Sequence, residues 1–352
     1  MLGGCAPAPS TPWVWDLPDY LEPPPLPDGV ALTLELTELG RHLFFDPRLS
    51  GNQTQSCATC HEQTLGFSDG LVLSEGSTGV VLSRNSMSLS NLGWLSSYTW
   101  VNPILTTLEA QGLVPLVGDT PPELHAGSDL SRVMDDLRGD DYYREAFPAA
   151  FPEMSDPFGI DPIIRALAGY QRTLLALDSP VDHHLQGEGV LTEQEEAGLV
   201  LFESEELGCA SCHGGPLQTN AAMGLDRDEF FFNTGLYETY PPDAMGLFEI
   251  TVEPSDFGRF RVPSLRNVAE SAPYFHDGSA ETLGDVIDHY AAGGRTLTAG
   301  PYAGDGSANP YKHELVSGFE LESSEREALL AFLAALTDPS YLVDSTISDP
   351  FE

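Results

Sequence analysis

The chain has 352 residues, 41% hydrophobic and 9% aromatic, enough for about two domains with proper cores. Fifteen basic residues face 54 acidic ones, and the formal charge of −39 gives a surface that repels nucleic acid and anionic lipid. On that charge, partners are expected to be basic, neutral or metal-loaded, and no apolar run approaches the roughly 18 residues a membrane span needs.

Residues 1–28 are rich in proline ("EPPPLPDG") and read as an extended N-terminal tether. Cys5 follows "LGG" and precedes "APAPSTP", a box like that of a bacterial lipoprotein, although only four residues precede it. A lipid anchor at Cys5 is the expectation, and an incidental thiol is the alternative. A helix starts near Leu32, runs through "TELGRHLFF" and gives way at Asp46 and Pro47 to a loop carrying Cys57, Cys60 and His61. In "DPIIRALAGYQRTLLALDSP" the spacing predicts a helix capped by Asp161, with Pro162 in its first turn and a stripe through Ile163, Leu167, Tyr170 and Leu174. Its end at Asp178 to Pro180 divides the chain into domains 29–179 and 180–352.

Thr192 and Glu195 then form a capping box, an amphipathic helix ends near Phe202, and Cys209, Cys212 and His213 follow. The unit of helix then C-x-x-C-H thus occurs twice, about 152 residues apart, which points to two like domains. A last helix, capped by Ser324 with Glu327, runs through "ALLAFLAAL" to Pro339. No segment alternates with period two for long. The fold expected is mainly α: two cytochrome c-like haem domains with long ordered loops.

C-x-x-C-H is the attachment signature of c-type haem, in which two thiols add to the vinyl groups and the adjacent imidazole coordinates iron. A redox or zinc pair is the rival for one copy, but two copies on a duplicated unit leave it little room. Such attachment places the protein outside the cytoplasm. After His61 the nearest candidates to cap the first iron are Met87, His125 and Met134, none in a suitable helical context, so an open position is expected there. An open ferric haem is where peroxide binds, whereas a six-coordinate one relays electrons. For the second iron the candidates are Met223, Met245, His276, His289 and Tyr290. Leu283, Val286, Ile287 and Tyr290 fall at i, i+3, i+4 and i+7, so Tyr290 lies on the buried stripe and His289 points elsewhere.

These motifs, with "LGRHLFFDPRLS", "RN" at 84 and 85, "LEAQ", "FNTGL", "GRFRVPSLRNV" and "APYFHDGS", resemble the bacterial dihaem cytochrome c peroxidase and MauG superfamily over nearly the whole chain. "WVWDLPDYLEPPPLPDG", "TWVNP" and "HYAAGGR" look most like its MbnH, or methanobactin-associated, branch. That resemblance implies two covalently bound haems, a bound calcium and reaction with hydrogen peroxide. In that branch the enzyme oxidises a tryptophan of a partner, MbnP, to kynurenine. Position by position, Ser77 stands where activation-dependent peroxidases carry a blocking histidine, and Tyr290, fourteen residues after His276, stands where they carry a methionine ligand. A phenolate is a hard anionic donor that favours high oxidation states. Trp100 matches the indole between the haems, Glu123 the distal carboxylate that shuttles protons, and Gln111 its neighbour. Asn85, Ser271 and Pro273 match the calcium ligands. Leu207 replaces the surface tryptophan of MauG, which makes Trp94, Tyr237 and Tyr240 the candidate exits for an oxidising equivalent.

The leading expectation is therefore a periplasmic dihaem enzyme that oxidises a tryptophan of a protein partner. The alternatives are a peroxidase fed by a small cytochrome or copper protein, and a dihaem electron carrier without catalysis.

Overall fold

The computed structural model describes residues 10–27, 29–222 and 224–352, so Cys5 and Met223 lie outside the described residues. Helix α1 (Leu34–Phe45) starts where Thr33 Oγ1 accepts the Leu36 amide at 3.2 Å, and it buries Leu36, Leu39, Leu43 and Phe44. Asp46 ends it by capping the next turn, through the Arg48 amide at 2.9 Å. Helices α2 (Leu108–Val117), α3 (Leu130–Gly139), α4 (Asp141–Ala150) and α5 (Ile160–Gln171) complete the first half. The second holds α6 (Pro180–Gln186), α7 (Glu193–Phe202), α8 (Phe248–Thr251), α9 (Leu283–Ala291) and α10 (Ser323–Ala334). Among the described residues the strands are two antiparallel pairs of two-residue segments, with Phe231 opposite Arg261 and Thr296 opposite Asp305.

One packing device is used twice. Helix α1 crosses α5 at Gly40, where a Cβ would lie 1.9 Å from the Ala166 carbonyl oxygen. Helix α7 crosses α10 at Gly198, where a Cβ would lie 2.0 Å from the Ala328 carbonyl oxygen. In both cases the backbones come too close for any side chain at the crossing, and the helix that precedes each C-x-x-C-H motif is held there.

Two caps and two ends differ from the sequence expectation, α10 stopping at Ala334 rather than running to Pro339. Helix α5 is preceded by Gly159 rather than Asp161 and stops at Gln171, because the chain beyond is captured by side chains from elsewhere. Asn91 Oδ1 takes the Ala176 amide, and Asp338 Oδ2 takes those of Leu177 and Asp178, each at 3.0 Å. Leu174 therefore sits in the core from an extended segment. Helix α10 is capped by Glu322 with Glu325, not by Ser324 with Glu327; the Glu325 carboxylate takes the Glu322 amide at 2.8 Å. The Thr192 and Glu195 box on α7 forms as expected.

The proline-rich segment is extended but docked along its described length. Trp13 N–H reaches Leu32 O at 3.0 Å, Trp94 Nε1–H reaches Glu22 O at 2.9 Å, and the Tyr20 hydroxyl donates to Asp182 at 2.5 Å. Asp182 also pairs with Arg266 at 2.5 Å, and both side chains are fully buried. The chain also returns late to the first core, which includes Tyr341 and Ile347. Gln63 Nε2–H donates to the carbonyls of Tyr341 (2.8 Å) and Asp344 (3.0 Å), and the Tyr170 hydroxyl to that of Ile347 (2.6 Å). Among the described residues no helix is long and apolar enough to cross a membrane.

Candidate dihaem site

Each motif sits on a short 3-10 turn, Cys57–Thr59 and Cys209–Ser211. Ser56 and Thr59 cap the first reciprocally; Gly208, at φ +67°, turns the chain into the second. Both histidines are oriented by a backbone carbonyl, His61 Nδ1 by Phe67 O at 2.8 Å and His213 Nδ1 by Gln218 O at 3.3 Å. A carbonyl only accepts, so Nδ1 carries the proton and Nε2 keeps the lone pair that binds a metal. Burial pushes both imidazoles down, His213 to about 4, which keeps them neutral.

The four thiols are unpaired. Burial pushes Cys57 up to about 12 and Cys60, Cys209 and Cys212 to about 11. These are neutral thiols, suited to thioether formation and poorly suited to a zinc thiolate cluster. Among the described residues no cluster of three or more His, Cys, Asp or Glu side chains could hold a metal ion.

A large apolar cavity carries Cys209, Cys212 and His213 in its wall, together with Leu207, Ile287 and Leu333. Tyr290, from α9, lies in the same wall, and burial holds its phenol well above the usual tyrosine range. His276 reaches the cavity too, stacked on Phe260 at 3.5 Å with Nε2 unpartnered. His289 is buried outside the lining, edge-on to Phe275 at 4.9 Å, and Met245 does not line the cavity. The periodicity that aimed Tyr290 and His289 in different directions is thus seen in the fold. The lining also includes Arg261, 3% exposed and without a carboxylate partner among the described residues. Its guanidinium rests on Met87 Sδ at 3.4 Å and on the carbonyls of Thr99 and Val262 at 3.2 Å. Burial draws it down to about 10. A flat apolar cofactor with carboxylate arms fits such a wall, since the hydrocarbon lining takes the ring and the unpaired guanidinium takes an acid.

Around the first motif, burial raises both thiols most, followed by Cys60 for Cys57 and by Asp69 for Cys60, and Glu123 lies close enough for its charge to add to both. Burial pushes Glu123 itself up to about 7. The loop of Ser77 is strapped across it: Ser77 N–H donates to Glu123 O at 2.8 Å and its hydroxyl to Leu124 O at 3.0 Å. Gly76 permits this, because a Cβ there would lie 2.2 Å from Pro122 O. Gln111 is half-buried on α2. Met87 is turned to the second cavity, Met134 packs on the first core, and His125 Nδ1 lies 3.2 Å from Asp119 Oδ1.

Trp100 lines the second cavity and is tied to the loop that touches the first motif. Its Nε1–H donates to Asn85 O at 2.9 Å, while the next residue, Ser86, donates to Cys60 O at 2.6 Å and lies 3.4 Å from His61 Nδ1. Asn85, Ser271 and Pro273 line the cavity on this side, and Asn85 Nδ2–H holds Leu71 O at 2.7 Å. Leu207 is buried in the second core. Sequence reasoning missed Arg261 and Arg266; the one available signal was two arginines within an otherwise apolar run, "FRVPSLRNV".

Residues 34–189 match the family model described as di-haem cytochrome c peroxidase. The chain is 32% identical to cytochrome-c peroxidase IdrP2 of Denitromonas iodatirespirans, over 92% of this chain and 88% of that one. It is 34% identical to the methylamine utilization protein MauG of Methylorubrum extorquens, over 89% and 81%. Among solved structures, a MauG-like protein associated with microbial copper homeostasis superposes with a TM-score of 0.93, at 46% identity over 97% of this chain and 100% of that one. With two C-x-x-C-H motifs, a mainly helical fold and these relatives, the chain belongs to the di-haem cytochrome c peroxidase and MauG family, whose members are oxidoreductases carrying two c-type haems.

Proposed function

We propose that this protein is a periplasmic enzyme that uses hydrogen peroxide to withdraw electrons from a tryptophan of an MbnP-like partner, converting it to kynurenine. The observation that carries this reading is the phenol of Tyr290 in the wall of the cavity that holds Cys209, Cys212 and His213. The 46% identity to a MauG-like protein linked to copper homeostasis supports the same branch. When bound, the haems supply reaction with peroxide and storage of its oxidising equivalents.

Residues 29–179 form the peroxide-reacting haem domain and 180–352 the domain whose haem takes His213 and Tyr290 as ligands. Cys57 and Cys60 tether the first haem and His61 ligates it. Glu123, with its carboxyl near 7, moves a proton between the two peroxide oxygens, and Gln111 orients the bound molecule. A carboxyl near neutrality accepts and returns a proton with little penalty either way. Ser77, held by the Glu123 and Leu124 carbonyls, puts a small side chain where a blocking imidazole would otherwise stand. Trp100 lets the two sites share a hole, and calcium at Asn85, Ser271 and Pro273 stiffens the loop it is tied to. A lipid on Cys5 would hold the enzyme at the membrane surface.

The experiment adds peroxide to the diferric protein alone and with candidate partners. A long-lived oxidised spectrum, and a kynurenine mass change on the partner, are expected. Rapid turnover of a reduced small cytochrome or copper protein would instead support peroxide scavenging, the reading favoured by the 32% identity to a cytochrome-c peroxidase. Six-coordinate low-spin iron at both haems, inert to peroxide, would leave only an electron carrier.

A further inference from the structure

A file of aromatic rings leads out of the second cavity. Phe260 and His276 form part of its wall. Tyr240 lies 6.1 Å from Phe260 and 6.3 Å from His276, centroid to centroid. Tyr237 is 5.3 Å beyond Tyr240, and Tyr302 is 6.3 Å beyond Tyr237. Trp100 packs against the same cluster as Tyr237 and Tyr240. Exposure increases outward: Tyr240 is 3% exposed, whereas Tyr237 and Tyr302 are partly exposed.

The two inner tyrosines differ in what they offer a departing proton. The Tyr240 hydroxyl donates to Asn233 Oδ1 at 2.9 Å, an amide oxygen too weakly basic to take the proton. The Tyr237 hydroxyl donates to Asp277 Oδ2 at 2.7 Å. Burial pushes the Asp277 carboxyl up, but His276, Ser279, Tyr237 and Arg295 together hold it below the ordinary carboxylate range, so it is an ionised acceptor. Arg295 also lies 4.4 Å over the Tyr237 ring and contacts Asp277 at 3.2 Å, which fixes the pair. An oxidised phenol is strongly acidic, so a phenol with a carboxylate in hydrogen-bond reach is far easier to oxidise than one without.

We propose that Tyr237 is the station through which oxidising equivalents leave for the surface, with Asp277 as its proton acceptor and Tyr302 as the outer contact for a partner. This rests on the peroxide-driven reading above. Hydrogen peroxide supplies two oxidising equivalents per molecule reduced. For each that exits, one electron moves inward from Tyr237 and its hydroxyl proton crosses to Asp277. A neutral phenoxyl radical and a neutral carboxylic acid remain. One electron from the partner's indole then restores the phenol, and the proton returns from Asp277. The bland alternative is that Tyr237, Asp277 and Arg295 are only a strut.

The test uses the diheme holoprotein, freeze-quenched after peroxide without a partner, with EPR on protein containing ring-deuterated tyrosine. A tyrosyl signal that narrows with the label is expected, and a nitroso spin trap followed by peptide mass spectrometry places the adduct on Tyr237 or Tyr302. Tyr237→Phe abolishes the signal and lowers partner oxidation at least tenfold, while the optical response to peroxide stays within about twofold. Asp277→Asn keeps the phenol and weakens the signal at least fivefold, an effect a strut would not produce in a variant with unchanged melting. Trapped adducts only elsewhere, or a full tyrosyl signal in Tyr237→Phe, overturn the proposal even if either variant folds poorly, since the trapping is done on the parent. If the parent shows no optical response to peroxide, the reading beneath falls and takes the relay with it.

Discussion

Replacing Glu123 with glutamine keeps the size of the side chain and removes its ability to accept a proton. Burial lifts this carboxyl from 4.5 to about 7, a preference for the neutral acid of about 3 kcal/mol at roughly 1.36 kcal/mol per pH unit. Below that value the group is protonated and cannot take the proton of incoming peroxide; above it the carboxylate can. The second-order rate constant for peroxide reacting with the diferric protein therefore rises with pH through a midpoint near 7 and levels off. In Glu123→Gln it falls about 10²- to 10⁴-fold, the usual worth of a positioned acid–base group, and the midpoint disappears. Stability moves the other way. A folded value above the unfolded one means that the parent loses stability as pH rises between 4.5 and about 7, by at most about 3 kcal/mol. The variant has no such loss and melts at least as high as the parent at alkaline pH, so a slow rate cannot be blamed on unfolding. Stopped-flow traces across that pH span decide the matter. A variant within about threefold of the parent, with the same pH profile, would refute the assignment.

Three further outcomes are expected. Tyr290→Phe retains the ring and removes the oxygen, so the electronic spectrum of the second haem changes and partner oxidation drops at least tenfold; an unaltered spectrum removes Tyr290 from the ligand set. Asp182→Asn breaks the fully buried pair with Arg266 and costs about 3–5 kcal/mol in denaturant titrations at neutral pH. Burial opposes the charge on Asp182, yet Arg266, Ser179 and Tyr20 hold its carboxyl below 3.8. The contribution is therefore complete above that value and fades as pH falls through the folded one, where parent and variant converge. Gly40→Ala and Gly198→Ala each place a Cβ within about 2 Å of a carbonyl oxygen and lower stability by about 1–3 kcal/mol or more; haem incorporation at the motif that follows should fall with it, and a neutral effect on both would contradict the close crossing.

Local rules reached most of the parts of this fold that local forces decide, although they set the α10 box two residues late, at Ser324 and Glu327 instead of Glu322 and Glu325. The Thr192 and Glu195 box and the apolar stripe of α9 needed only their own neighbours, so spacing located them. Where distant groups intervene, spacing failed. The end of α5 is set by Asn91 and Asp338, which lie 80 or more residues away in sequence. Spacing put Tyr290 inside, but nothing in it distinguished a core phenol from one facing a cavity shared with His213. Glu123 was one acid among 54 and became visible only by resemblance, because what marks it is burial, a property of the folded molecule. Arg261 is the same case in reverse, a cation whose isolation no one-dimensional pattern reveals.

The latch formed by Gln63 and Tyr170 on residues 341–347 has a bearing on biosynthesis. A polypeptide that emerges N-terminus first presents Cys57, Cys60 and His61 well before that latch has been made. The first motif is therefore made long before Tyr341 and Ile347, and the core beside it is completed only when that distant stretch arrives.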